Sequence, residues 1–513
     1  MVYLAVSTTH IANSINLTDV FFAFTLIALL ILAGRLIQQK TRWIQQLYLP
    51  ESVVAGVLAL LLGKEVLGKV VGAIATALPD PQTVPPSTLS SNLSQIFSSL
   101  SNGLFSSPIQ TVWSQTPSVF INIVFAAMFL GEAIPNPRSI WRKAAPQVVF
   151  GQSLAWGQYV IGILVTLLIL TPVFGVSPIA GALIEIAFEG GHGTAAGMSE
   201  TFAELGFPDG ADLALGLATV GIVSGIIAGT ALMHWGRRNG HIPSVQTNPE
   251  ILEQLEEQGH VESPEVRQAR TRLMRNLLID PLSLNFGFVG VAVVFGWLIQ
   301  HGLLWLESVT WGQTGFEVMA YVPLFPMCLI GGIIVQLLLT QMGLEVLIIE
   351  PLMKNIAGVA LDVVIVAALA SISLTALGSN LGPFLILSGV GIAWNILSFI
   401  YLAPRLIPVH WFERGIGDMG QSMGVTATGI LLMRMVDPNN RSGAFESFAY
   451  KQLFFEPIVG GGLFTAAAPV LLHNPKFGPL ATLLLTAGLL VFWLLVGFFV
   501  VNRTPSHTKM DPH

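Results

Sequence analysis

Apolar runs long enough to cross a bilayer recur along almost the whole chain, from Asp19 near one end to Val501 near the other. A hydrocarbon core of roughly 30 Å needs about 20 apolar residues per helix. Inside it every backbone N–H and C=O must find a partner, which leaves helices or closed barrels. Runs of this length select helices, so the chain reads as an all-α integral membrane protein dissolved in a lipid bilayer. Composition agrees: of 513 residues 53% are hydrophobic and only 10% charged, far from the balance of a soluble domain. A net charge of −6 argues against nucleic acid as a partner. The single Cys328 sits in an apolar run and offers neither a disulfide framework nor a thiolate metal site. The first stretch lacks a basic leader and a small-residue cleavage site, so it is expected to be a retained span.

Orientation follows from the basic residues, because positive loops stay in the cytoplasm. Arg35, Lys40 and Arg42 follow the first span, Arg138, Arg142 and Lys143 the third, and Arg237, Arg238, Arg267, Arg270, Arg272 and Arg275 crowd the middle. No Lys or Arg falls between Lys69 and Arg138, between Lys143 and Arg237, or between Arg275 and Lys354. The N-terminus is therefore expected outside and the C-terminus, after Arg503 and Lys509, inside a multi-pass protein of the cell membrane. Residues 79–115, rich in Ser and Pro, become an external loop with partial disorder. Residues 239–280, with EILEQLEEQ, become a polar cytoplasmic linker that nearly halves the chain.

The halves resemble each other. YLPESVVAGVLALLLG from Tyr48 and LFPMCLIGGIIVQLLL from Leu324 share a proline, a small-residue step and an aliphatic run. Each half continues with a short span starting near Pro117 or Ala360, and a longer one starting near Gln147 or Pro383. A Gly/Thr-rich segment follows, then a span broken by glycines, from Asp212 or Gln452. Five spans separate equivalent points, and an odd number inverts the second copy, the inverted repeat of secondary transporters. The expected organisation is a first five-span repeat over 1–238 with an outward re-entrant hairpin at 179–210. The linker and a second repeat over 281–472 come next, with an inward re-entrant hairpin at 415–440. An extra transmembrane helix and tail over 473–513 bring the count to eleven spans.

Chemistry should sit in the two Gly/Thr segments, IEIAFEGGHGTAAGMSETFAELGFPDG from Ile184 and GIGDMGQSMGVTATGILLMRMVDPNN from Gly415. Helix breakers at membrane depth free backbone N–H and C=O groups, which is tolerated where the break is buried in protein or lines a cavity. Half-helix N-termini then attract a carboxylate, while freed carbonyls and Thr hydroxyls can replace the water around a sodium ion. Gly190, Gly191 and Gly193 would ruin a continuous helix. Gly221, Gly225 and Gly229, like Gly331 and Gly332, fit close helix packing as readily as a break. His192 can serve as a ligand contact, a proton-sensitive switch, or a polar group satisfied by the tip backbone. Thr194, Thr426 and Thr428 can bond back to their own helices or touch ion or substrate.

Ionisable residues in membrane helices are functional candidates by default. Glu456, in FFEPIVGGG, can hold a substrate ammonium, a sodium ion or a proton, or pair with Arg434 or Arg405. Glu185 and Glu189 stand four residues apart on one helical face and suit cation binding. Asp418 and Asp362 are expected nearer the inner surface. Arg434 is the natural partner of a substrate carboxylate if the second hairpin brings it to the cavity.

EGGHGTAAGMSETF resembles the GGHGTxAA signature of the bacterial sodium/glutamate symporter family, and GQSMGVTATGILLM is similar to its second, a glycine-rich run leading to Thr-x-Thr. The run from Leu29 through LYLPES fits as well, and the likeness covers about three quarters of the chain. The resemblance implies sodium-driven uptake of L-glutamate by an elevator-type transporter, within a homodimer, with Na+ as coupling ion and no organic cofactor. It places substrate contacts at Gly190, Gly191, His192, Gly193 and Thr194, and at Gly424, Thr426 and Thr428. Arg434 and Glu456 join them as substrate-binding candidates, and Thr194, Thr426, Thr428 and Glu189 are the candidate sodium ligands. Ser422 stands where the family has glycine and Ala427 where proline separates the threonines, departures that bear most on substrate choice. Like charges repel strongly at low dielectric, so Glu456 facing a dicarboxylate leaves open another amino acid or organic anion, with sodium or proton coupling. A passive channel would share the composition but not need two opposed tips. An enzyme lacks support, since the glycines break the helix an HExxH site requires.

Overall fold

The structure is a computed structural model that describes residues 16–46, 49–77, 100, 103–242, 280–438 and 440–501. Most of the expected external loop, nearly all of the expected linker and the tail after Val501 lie outside these residues. Every regular element among the described residues is a helix. Seven are long and apolar enough to cross a membrane: Leu17–Lys40, Lys143–Phe174, Asp209–Arg238, Pro281–Val309, Glu350–Ser371, Leu381–Tyr401 and Gly478–Val501.

Four of the eleven expected spans take other forms. The second is divided into α2 (Glu51–Leu62) and a helix at Lys69–Ala77 by a π-turn at Lys64–Gly68. The third is the helix Ser107–Ala127, whose polar first turns lie inside the segment expected to be loop. The seventh is the 17-residue helix Phe325–Gln341. The tenth is cut in two by residues 456–462. Its expected counterpart, the glycine-bearing helix Asp209–Arg238, is continuous.

Two compact units make up the chain, one formed by Met1–Phe120 with Asp362–Leu374, the other by Ile121–Leu361 with Thr375–His513. In the first, α1 (Leu17–Lys40) packs on α2 so closely that a Cβ on Gly34 would stand 2.8 Å from Ala55 Cβ. The Trp113 indole N–H donates to the Ala23 carbonyl at 3.0 Å, within a core of Ala23, Ile27, Ala55, Ala59, Val366 and Ala367. Small residues at helix crossings serve in place of a hydrophobic driving force, which lipid does not supply.

The second unit holds both Gly/Thr segments. Continuing the numbering, α3 is Pro137–Val165, α4 Leu183–Phe188, α5 Gly191–Gly197, α6 Asp209–Arg238, α7 Leu381–Tyr401, α8 Trp411–Val436, α9 Ala444–Phe455 and α10 Leu463–His473. The α6 glycines serve packing: a Cβ on Gly225 would lie 3.1 Å from Met423 Cβ, and Gly221 and Gly229 face Met423 and Leu432. Gly331 and Gly332 likewise sit against the carbonyls of Ala292 and Ala126.

Candidate functional site

Three breaks in helical structure meet in this unit. The first separates α4 from α5 at Glu189–Gly191, where Gly191 takes φ +67°. The second divides α8 at Gly424 (φ −152°, ψ 40°) and Val425 (φ 59°, ψ 177°). The halves on either side fold back on each other, with Gly420 against Gly429 and Gly417 under Met433. The third lies between α9 and α10, where Pro457 removes an N–H and Gly460 and Gly461 take φ +73° and +110°. A Cβ on Gly191 would strike Val425 Cγ1, and one on Gly461 would lie 2.8 Å from Thr194 Oγ1. The first break therefore touches the other two.

Each break frees backbone groups, and buried side chains satisfy several. The Ser422 carbonyl accepts from Gln158 Nε2 at 2.7 Å and from Asn395 Nδ2 at 3.0 Å. The Gly424 carbonyl accepts from Thr428 Oγ1 at 2.6 Å, so Thr428 bonds back to its own helix. A buried carbonyl that keeps one of two donors loses about 1 kcal/mol, whereas one left with none costs the full desolvation penalty. Gln158→Leu and Asn395→Leu are each expected to lower the thermal-unfolding midpoint modestly. The double variant should lose more than the sum.

The carboxylates differ sharply in how they are held. Glu185, fully buried, accepts from Tyr159 Oη at 2.5 Å, Gly460 N at 2.7 Å and Thr465 Oγ1 at 2.9 Å, and so latches α4 to the third break. Glu189 is 3% exposed, yet neither of its oxygens has a hydrogen-bond partner. Beside it is the Ser422 side chain, and Lys451, Glu185 and Glu456 are the charges that act on it. The hydroxyls of Ser422 and Thr194 are buried and unpartnered as well. Glu456 accepts from Gln421 Nε2 at 3.3 Å and from Thr426 Oγ1 at 3.4 Å. Its partners are these neutral groups from the second break, in place of Arg434 or Arg405.

His192 Nε2 lies 2.9 Å from Thr219 Oγ1 on α6; the Thr219 hydroxyl donates to the Leu215 carbonyl, so the imidazole N–H is the donor to Thr219. Gly193 faces the apolar side chains of Ile121 and Leu361, and Gly190 lies beneath Thr194. Arg434 stands ten residues beyond Gly424 in the same helix, about 15 Å along its axis at 1.5 Å per residue, and is not brought to the tips. Asp418 is wholly buried and paired with Lys451 at 2.9 Å. Sequence reasoning passed over Lys451. Its signal was a lysine inside an otherwise apolar stretch, five residues before Glu456.

Around the tips the chain thus buries four carboxyl groups, Glu185, Glu189, Asp418 and Glu456, with Lys451 among them as the one buried lysine among the described residues. Buried carboxylates need compensating charge, and the unpartnered oxygens of Glu189, Thr194 and Ser422 offer hard donors suited to a small cation. A half-helix begins at Thr426, directly after the break, and the first N–H groups of a helix lack intrahelical partners, the arrangement that favours an anion.

A family model described as sodium/glutamate symporter matches residues 119–440, which include the first two breaks; Lys451, Glu456 and the third break lie beyond it. The sodium/glutamate symporter of Haemophilus influenzae is 25% identical over 325 residues, 61% of this chain and 71% of that protein. The sodium/glutamate symporter of Escherichia coli is 27% identical over 321 residues, with the same two coverages. No solved structure matches the chain.

Proposed function

The chain belongs to the sodium/glutamate symporter family, and on that premise we propose that it carries glutamate into the cell together with sodium ions. The family is one of transporters rather than enzymes. The observation that carries the reading is the meeting of three breaks around buried, unpartnered acceptor oxygens, with the start of a half-helix beside them. In this reading Glu189 and Thr194 contact sodium. The N–H groups at Thr426 receive a substrate carboxylate, and Glu456 receives the substrate ammonium. Opposite charges bound together need less external compensation than either alone, which gives a physical reason for symport. Inverted five-span repeats, a cytoplasmic linker, an outside N-terminus, homodimer assembly and elevator movement of the tip-bearing helices belong to the same proposal.

Uptake of labelled glutamate into proteoliposomes tests it, with an inward sodium gradient, a matched potassium gradient and unlabelled organic acids as competitors. The expected result is concentrative uptake with sodium alone. Uptake of a different amino acid or carboxylate would overturn the substrate assignment, and ion leak without accumulation would overturn carriage altogether. In the same assay Thr426→Ala is expected to weaken glutamate more than sodium, because Thr426 donates to Glu456. Thr428→Ala is expected to lower stability by about 1–2 kcal/mol, because it strips the Gly424 carbonyl.

A further inference from the structure

We propose that the Lys451 ammonium fills, as a tethered cation, a monovalent-cation site formed by Asp418 and Gln421, so that removing the side chain opens the site to a free cation. Lys451 and Asp418 are both 0% exposed, and a bare ammonium at membrane depth persists only where acceptors surround it. Its Nζ donates to Asp418 Oδ1 at 2.9 Å and to Gln421 Oε1 at 2.8 Å. An ammonium has three protons to give, and the site holds more acceptors than these two bonds engage. The second carboxylate oxygen, Asp418 Oδ2, takes no bond from Lys451 and is buried with the Gln147 side chain beside the carboxylate.

The walls are built for a cation as well. The Phe455 and Phe448 rings lie 4.3 and 5.0 Å from Nζ, within the range at which a ring face attracts positive charge. On the α3 side Gly151 leaves the room the head group occupies, since a Cβ there would stand 3.0 Å from Nζ. The neighbouring Arg414 acts on Asp418 by charge while its Nη2 donates to the Ser442 carbonyl at 3.0 Å, and Lys451 makes the direct ion pair with Asp418. Gln421 links this centre to the tips. One face of its amide receives Lys451, and its Nε2 donates to Glu456, which in turn holds Thr426. The inference extends the proposed function and rests on it only in treating the protein as a cation-coupled carrier.

The test is thermal unfolding of the purified full-length protein in choline chloride against ammonium chloride, for the wild type, Lys451→Ala and Lys451→Ala/Asp418→Asn. Lys451→Ala is expected to gain a saturable ammonium-dependent rise in unfolding midpoint that the wild type and the double variant lack. Equal responses in the single and double variants would overturn the proposal. So would a single variant that cannot be purified even with ammonium present, because the lysine would then be needed for its shape rather than its charge. Ammonium binding is read without glutamate or sodium, and wild-type uptake is measured separately, so the two readings fail independently.

Discussion

Replacing Gly191 by alanine is expected to reduce sodium-driven uptake by about tenfold or more, while the protein still folds and purifies. Two effects act together. Gly191 has φ +67°, a conformation that costs a residue with a Cβ about 1–2 kcal/mol. The added methyl would also strike Val425 Cγ1 across the junction of the first two breaks. Val425 is itself held at φ 59° and ψ 177°, a region that is costly for any residue but glycine, so the struck methyl sits on backbone that is already strained. The double variant Gly191→Ala/Val425→Ala removes the clash and keeps the strain at position 191. It should regain part of the lost uptake. Gly206→Ala is the control, because Gly206 has φ +74° with nothing within 4 Å of the added Cβ. It should lose stability by about 1 kcal/mol and little transport.

The second large effect is expected at Glu189, with opposite signs in two measurements. A buried carboxylate with no hydrogen-bond partner destabilises the protein when no cation is bound, since the charge of Lys451 offsets only part of its desolvation. Glu189→Gln should therefore raise the unfolding midpoint in sodium-free buffer. The same change removes the formal charge that attracts sodium, so the sodium concentration for half-maximal uptake should rise by about tenfold or more, the equivalent of about 1.4 kcal/mol. Glu185→Gln offers the contrast. Glu185 already receives three donors, and replacing one oxygen by an amide nitrogen sets an N–H against a donor. That variant should lose stability in sodium-free and sodium-containing buffer alike.

Much of this was legible in the residues, for identifiable reasons. Gly-Gly-His-Gly in an apolar setting signals a break, because each glycine costs about 1 kcal/mol in a helix interior, and a left-handed Gly191 is found there, with His192 and Gly193 in the helix that it opens. The spacing of Gly221, Gly225 and Gly229 was ambiguous, since close packing and a broken helix use the same residues. Only the neighbouring Met423 and Leu432 resolve it in favour of packing. Pro457 with three following glycines marked the third break, but not that Gly460 N would bond to Glu185, 275 positions earlier. Periodicity carries no information about such partners. The same holds for Lys451 and Asp418, 33 positions apart on two helices, and for Thr428, whose hydroxyl was free to go either way until its own helix claimed it. The start of the helix at Ser107 was hidden because its first turns are polar.

In the proposed function sodium and glutamate bind together where the breaks meet, and linkage makes their coupling reciprocal: if one tightens the other, the other tightens it equally. Equilibrium binding of labelled glutamate to the purified protein, at graded sodium with potassium as replacement, tests this most directly. We expect glutamate affinity to rise by about tenfold or more with sodium, with no rise in potassium and none in Glu189→Gln. Glutamate binding that is indifferent to sodium in the wild type, or that keeps its full sodium dependence in Glu189→Gln, would contradict it.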